Sequence, residues 1–130
     1  MKKQQNKSTL KTMSKNKKEV LGQKHNIEEE VIIEFVEKIF EEIGLLMDEG
    51  TEVFSWIIYK RDGKLNQCYT ENLAGQNKTL LEIKDLKLRE PLVIDVRNII
   101  SAMAEENDFE VQNEMSKFIA QVTKHFNSGD

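Results

Sequence analysis

From Ile27 to Met47 the apolar residues Val31, Ile32, Phe35, Val36, Ile39, Phe40, Ile43, Leu46 and Met47 recur every three or four positions. That spacing predicts a helix with a wide apolar stripe. A wide stripe implies packing on more than one neighbour, or on a sheet and a second copy of the chain. Asn26 is the expected cap. Glu28, Glu29 and Glu30 sit where the helix dipole favours negative charge. The helix is expected to stop near Asp48-Glu49-Gly50.

The pattern then changes period. Thr51 to Lys60 is rich in β-branched and aromatic residues: Val53, Phe54, Trp56, Ile57, Ile58 and Tyr59. Asp62-Gly63 tolerates the positive φ of a type I′ turn, and Leu65 to Asn72 returns. With those two residues as the loop, Lys60 faces Leu65, Ile58 faces Gln67, Trp56 faces Tyr69 and Phe54 faces Glu71. The other face pairs Tyr59 with Asn66, Ile57 with Cys68 and Ser55 with Thr70. The outgoing strand is apolar on both faces and is expected to be central. The more polar returning strand is expected nearer an edge.

Ala74-Gly75-Gln76-Asn77 reads as a loop. Thr79 to Arg89 is ambiguous: Leu81, Ile83, Leu86 and Leu88 suit a third strand, and a short helix from Thr79 is the alternative. Pro91 holds Glu90 extended, and Leu92-Val93-Ile94 is a short apolar run. Val96, Ile99, Ile100 and Met103 then mark a helix capped by Asp95. Val111, Met115, Phe118, Ile119, Val122 and Phe126 mark another capped by Asp108. Residues 127–130 read as a frayed end.

The elements predict an α+β fold: a small antiparallel sheet, the hairpin plus a third strand, packed against an N-terminal helix and two C-terminal helices. The second sheet face, carrying Val53, Ile57 and Tyr59, needs a cover, which a homodimer would supply. The length of 130 residues suits one domain, expected over 27–130. No apolar run approaches a membrane span, and no apolar stretch of the secretory kind follows the basic N-terminus. A single cysteine, Cys68, fits a reducing, cytoplasmic setting.

Charge divides the chain. The formal net charge is −4, yet residues 1–25 hold eight lysines and one glutamate, a net of +7. Residues 26–130 hold 11 basic and 22 acidic side chains, a net of −11. Residues 1–26 therefore read as a flexible basic tail, too poor in apolar residues to order itself in isolation. Lys2, Lys3, Lys7, Lys11, Lys15, Lys17 and Lys18 could hold phosphate. The tail has no arginine or aromatic to read or stack on bases, and a solvated tail is the plainer reading.

Candidate chemistry is sparse. His25, His125 and Cys68 have no metal-ligand spacing, so no metal site is expected. His125 suits the negative end of a helix dipole. Cys68 suits a half-buried sheet position better than a nucleophile paired with His125. Phosphate-loop and nucleophile-elbow motifs are absent, and no enzyme or cofactor is expected. Glu34, Glu37, Glu41, Glu42, Asp48 and Glu49 form either a solvated face or a surface for a basic partner. Trp56 and Tyr69 beside Arg61 and Lys64 are a weaker candidate for a small anionic or aromatic ligand.

The first functional reading is an acidic interaction protein, a regulator or inhibitor of phage or mobile-element type that binds another protein. The second is a dimeric nucleic-acid-binding regulator using the tail. The third is a small-ligand-binding domain with a pocket between sheet and first helix, or at a dimer seam.

Overall fold

The structure is a computed structural model that describes residues 26–85 and 90–127. The basic tail with its lysines, His25, the strand candidates Leu86 and Leu88, and residues 128–130 lie outside the described residues. In chain order the elements are α1 (Glu29–Asp48), β1 (Ser55–Arg61), β2 (Lys64–Thr70), α2 (Leu73–Asp85), β3 (Leu92–Asp95), α3 (Arg97–Ala104) and α4 (Asp108–Asn127). The three strands form one antiparallel sheet in the order β2-β1-β3, and the α+β layout is the one expected.

The hairpin follows its sequence. Asp62 and Gly63 both adopt positive φ, 54° and 77°, as a type I′ turn requires. The register follows from that turn: Arg61 faces Lys64, Lys60 Leu65, Tyr59 Asn66, Ile58 Gln67, Ile57 Cys68, Trp56 Tyr69 and Ser55 Thr70. The ladder ends there, so Phe54 and Glu71 are not a ladder pair. Instead the Phe54 amide donates to the Thr70 carbonyl. Strand β1 is central, and β2 is an edge.

Of the two readings of 79–89, the described residues Thr79 to Asp85 take the helical one, and the helix begins earlier, after Asn72. The Asn72 carbonyl accepts from Gln76 N–H, and its side-chain oxygen accepts from Gly75 N–H at 2.8 Å. Residues 74–77, expected as a loop, are therefore the first turns of α2. The third strand is the run after Pro91, with Leu92 opposite Ile58 and Asp95 opposite Ser55. Strands β2 and β3 are both antiparallel to β1, hence parallel to each other, and α2 is the crossover such a pair requires.

The main core lies on the face of Trp56, Ile58 and Ile94. It joins Ile32, Val36, Ile39, Phe40 and Ile43 of α1 to Ile99 of α3 and Phe118, Val122 and Phe126 of α4. Phe40 and Phe118 meet edge to face at the middle of the long helices, with centroids 5.8 Å apart. At one end Asn127 bonds to the backbone of Ile27. Helices α1 and α4 thus run antiparallel, and Asn127 is tied down rather than frayed.

The opposite sheet face carries Ser55, Ile57, Cys68 and Thr70. Helix α2 packs against β2. A Cβ added at Gly75 would lie 3.7 Å from that of Thr70. Ile57 and Ile83 are both buried outside the main cluster, and the Ser55 and Thr70 hydroxyls bond to each other at 2.8 Å. The chain thus supplies a cover of its own for the face that had suggested a dimer.

Three cap assignments shift. Helix α1 starts after Glu28 with no side-chain cap, so Asn26 does not cap it. Asp95 stands one residue outside the α3 cap, Val96, and its carboxylate accepts the Arg97 amide at 2.9 Å. Asn107, not Asp108, accepts the Glu110 amide and caps α4.

Candidate functional site

Helix α1 presents the acidic candidates. Its apolar stripe turns Ile32, Val36, Ile39, Phe40, Ile43 and Leu46 inward. Phe35 and Met47 flank the stripe and pack against the core, while Glu34, Glu37, Glu41, Glu42, Asp48 and Glu49 are all exposed. None of the six takes part in an ion pair among the described residues, where the pairs are Arg97–Asp95 and Lys117–Glu114. Like charges three and four residues apart, as at Glu34–Glu37 and Glu37–Glu41, repel within a helix, and exposed Lys38 is the single cation of α1 set among them. A cationic surface laid along α1 would relieve that repulsion.

Two exposed apolar residues interrupt this face: Val31 and Leu45. Each end of α1 borders a depression. At its start a recess of about 310 Å³ lies between α1 and the hairpin tip, lined by Ile27, Val31, Phe35 and Leu65 with Glu34, Lys38 and Lys64. This is a space between sheet and first helix, where a ligand pocket was expected. At the other end a groove of about 490 Å³ is lined by Glu41, Gly44, Leu45, Met47, Asp48 and Met103.

The aromatic ligand site is not assembled. Trp56 and Tyr69 do stack across the hairpin, with centroids 5.4 Å apart. Trp56, however, is buried in the core, and its indole N–H donates to Gln67. Arg61 and Lys64 flank the turn five positions further along, about 17 Å away at strand rise. The stacked pair instead lines a shallow recess with Glu42, Gln67 and Cys68.

Cys68 is half-buried on β2. Burial, and secondarily the Glu82 carboxylate on α2, push its thiol above its ordinary value, so the thiolate is disfavoured. His125 lies in the last turn of α4, where its Nε2–H donates to the Glu90 carbonyl at 2.7 Å. Glu90 leads into β3 and Cys68 lies on β2, at opposite edges of the sheet, so the two side chains form no nucleophile pair. Among the described residues no three of His, Cys, Asp and Glu gather as a metal would require. Among them, too, no helix is long and apolar enough to cross a membrane.

Asp95 and Arg97 form the most elaborate polar cluster among the described residues. The guanidinium donates to both carboxylate oxygens and lies 4.8 Å from the centroid of the Phe54 ring. Hydrogen bonding from Arg97 holds the Asp95 carboxyl below its usual range. The cluster fastens the start of α3 to the sheet.

Leu45 and Phe109 are exposed apolar residues that lie outside the periodic apolar stripes of their helices. Phe109, 81% exposed in the first turn of α4, shares a helical face with Gln112, Asn113 and Ser116 rather than with the apolar stripe. Its place off the stripe was the available signal. Comparison with known proteins finds no matching family model, no matching curated protein and no matching solved structure.

Proposed function

We propose that this chain is a non-enzymatic interaction protein that binds a basic surface on another protein through the exposed acidic face of α1. The observation that carries this reading is the set Glu34, Glu37, Glu41, Glu42 and Asp48 on α1 with Glu49 at its C-cap, all exposed and outside any ion pair among the described residues. The helix is held from behind by a continuous core. A rigid, pre-ordered acidic face binds with little entropic cost and attracts its partner at long range. Such a module acts as a cytoplasmic regulator or inhibitor, alone or as a dimer, and suits a phage or mobile element.

The test is capture from a bacterial lysate by the full chain and by a variant with the six carboxylates changed to Gln or Asn. The reading expects a protein retained by the first, released by salt and absent from the second. Equal capture by both, or capture of nucleic acid alone, removes it.

A second reading is nucleic-acid binding through the lysine-rich tail. One observation favours it: Ile27, where the tail joins the domain, lines the same recess as Lys38 and Lys64. Deleting residues 1–25 should then abolish retention on DNA or RNA and flatten its salt dependence.

A further inference from the structure

We propose that the groove between the end of α1 and α3 receives a lysine- or arginine-rich amphipathic helix of the partner, with one or two large apolar side chains seated on Leu45, Met47 and Met103. This inference rests on the reading above and gives the partner's contact segment a chemistry and a place.

The groove is apolar at its floor and acidic at its rim. Leu45 is 58% exposed although it is a large aliphatic side chain. Beside it Gly44 leaves the surface of α1 bare, and a Cβ built there meets nothing within 4 Å. Met47 and Met103 complete the lining. Methionine adapts its shape to an incoming apolar group, and such residues are over-used where a surface must accept a helix. Glu41 and Asp48 edge the space.

The surroundings extend the same chemistry. Because α1 and α4 are antiparallel, the groove lies at the end of the molecule where α4 begins. Exposed there are Glu49 just after α1, Glu105 and Glu106 between α3 and α4, and Asp108 in the first turn of α4. Arg97, at the start of α3, is already paired with Asp95. Phe109 stands out from the first turn of α4 at this same end. An apolar strip bordered by carboxylates outside any ion pair among the described residues selects a helix with leucine-like anchors on one face and cations beside them. A wholly apolar partner would leave the carboxylates desolvated, and a wholly cationic one would leave the groove empty.

The probe is a fluorescent 18-residue peptide of leucine and lysine arranged as an amphipathic helix. Two controls accompany it: the same composition with the leucines spread round the helix, and a leucine–glutamate version. Binding to the full chain is followed by anisotropy at low and high salt, with circular dichroism and a thermal melt as the folding check on every variant. The inference expects saturable binding of the first peptide, at least tenfold tighter than either control and weakened by salt. It expects at least a tenfold loss in Gly44→Gln, which fills the groove without altering charge, and in Leu45→Ser, which serves should Gly44→Gln fail to fold. Binding that survives in whichever of these variants folds overturns the groove. If such binding is lost in Glu34→Gln/Glu37→Gln, it belongs to the rest of the α1 face, and the broader reading stands without the groove. No preference among the peptides also overturns the inference, while the lysate capture decides the broader reading separately.

Discussion

The carboxamide of Asn127 is joined to the backbone of Ile27, a hundred residues earlier, by two hydrogen bonds. Ile27 N–H donates to its oxygen at 2.8 Å, and its nitrogen donates to the Ile27 carbonyl at 2.7 Å. A primary amide is the side chain that can give and accept in this way at once. The pair closes the chain on itself and sets the antiparallel course of α1 and α4. That course in turn brings the acidic ends of both helices to one end of the molecule.

Replacing Asn127 by Ala should therefore cost about 1–2 kcal/mol, two ordinary hydrogen bonds at a partly buried site. Asn127→Asp should cost no less. It keeps the acceptor but sets a carboxylate against the Ile27 carbonyl and the negative end of α4. Urea denaturation measures both. Two variants as stable as the parent would show that the clamp carries no weight.

Glu106 ends α3 with φ of 55°, a left-handed conformation that glycine usually takes. Its amide donates to the Met103 carbonyl, and the next amide, of Asn107, donates to that of Ala102. Gly50 does the same work after α1, at φ 79°. Glu106→Gly should stabilise the protein by about 1 kcal/mol, since the position needs no Cβ. Glu106→Ala should give no such gain. The difference is read from the midpoints of thermal or urea unfolding.

Asn72 caps α2 through the Gly75 amide. Asn72→Ala should cost about 1 kcal/mol, felt by α2 more than by the main core. Hydrogen exchange should quicken at residues 75–80 while residues 36–43 of α1 stay protected. Uniform acceleration across both helices would mean that α2 does not open separately.

Cys68 is held as the neutral thiol by burial first and by Glu82 second. A thiol raised in the folded state favours folding while both states are protonated, and that contribution is lost as pH climbs past the unfolded thiol's range. Stability should thus fall at alkaline pH less steeply in Cys68→Ser than in the parent. Iodoacetamide should label the folded chain slowly at neutral pH, and Glu82→Gln should shift the labelling profile toward lower pH. An unchanged profile would remove Glu82 as a cause.

Much of the fold could be read in advance where local chemistry is strong. Asp62-Gly63 set the hairpin register residue by residue, and the stripe of Ile32, Val36, Ile39 and Ile43 set the buried face of α1. Helix α2 was obscured because Gly75 and Asn77 weaken its propensity and its apolar pattern is faint; Asn72, three residues before Gly75, was the overlooked cap. Strand β3 is four residues long and owes its place to pairing with β1, a partner distant in sequence. The Asn127 clamp has no local signal at all. Of the candidate site, the acidic face was legible because charges opposite a stripe must face water. The groove beside it was not, because it forms only when α3 lies across the end of α1.

The central claim is that α1 is the face on which a basic partner lies. Zero-length carbodiimide cross-linking of the captured complex, with the linked peptides read by mass spectrometry, tests it most directly. The account predicts bonds from Glu34, Glu37, Glu41, Glu42, Asp48 or Glu49 to lysines of the partner. Bonds confined to carboxylates elsewhere, such as Glu71, Glu90 and Glu110, with none from α1, would contradict it.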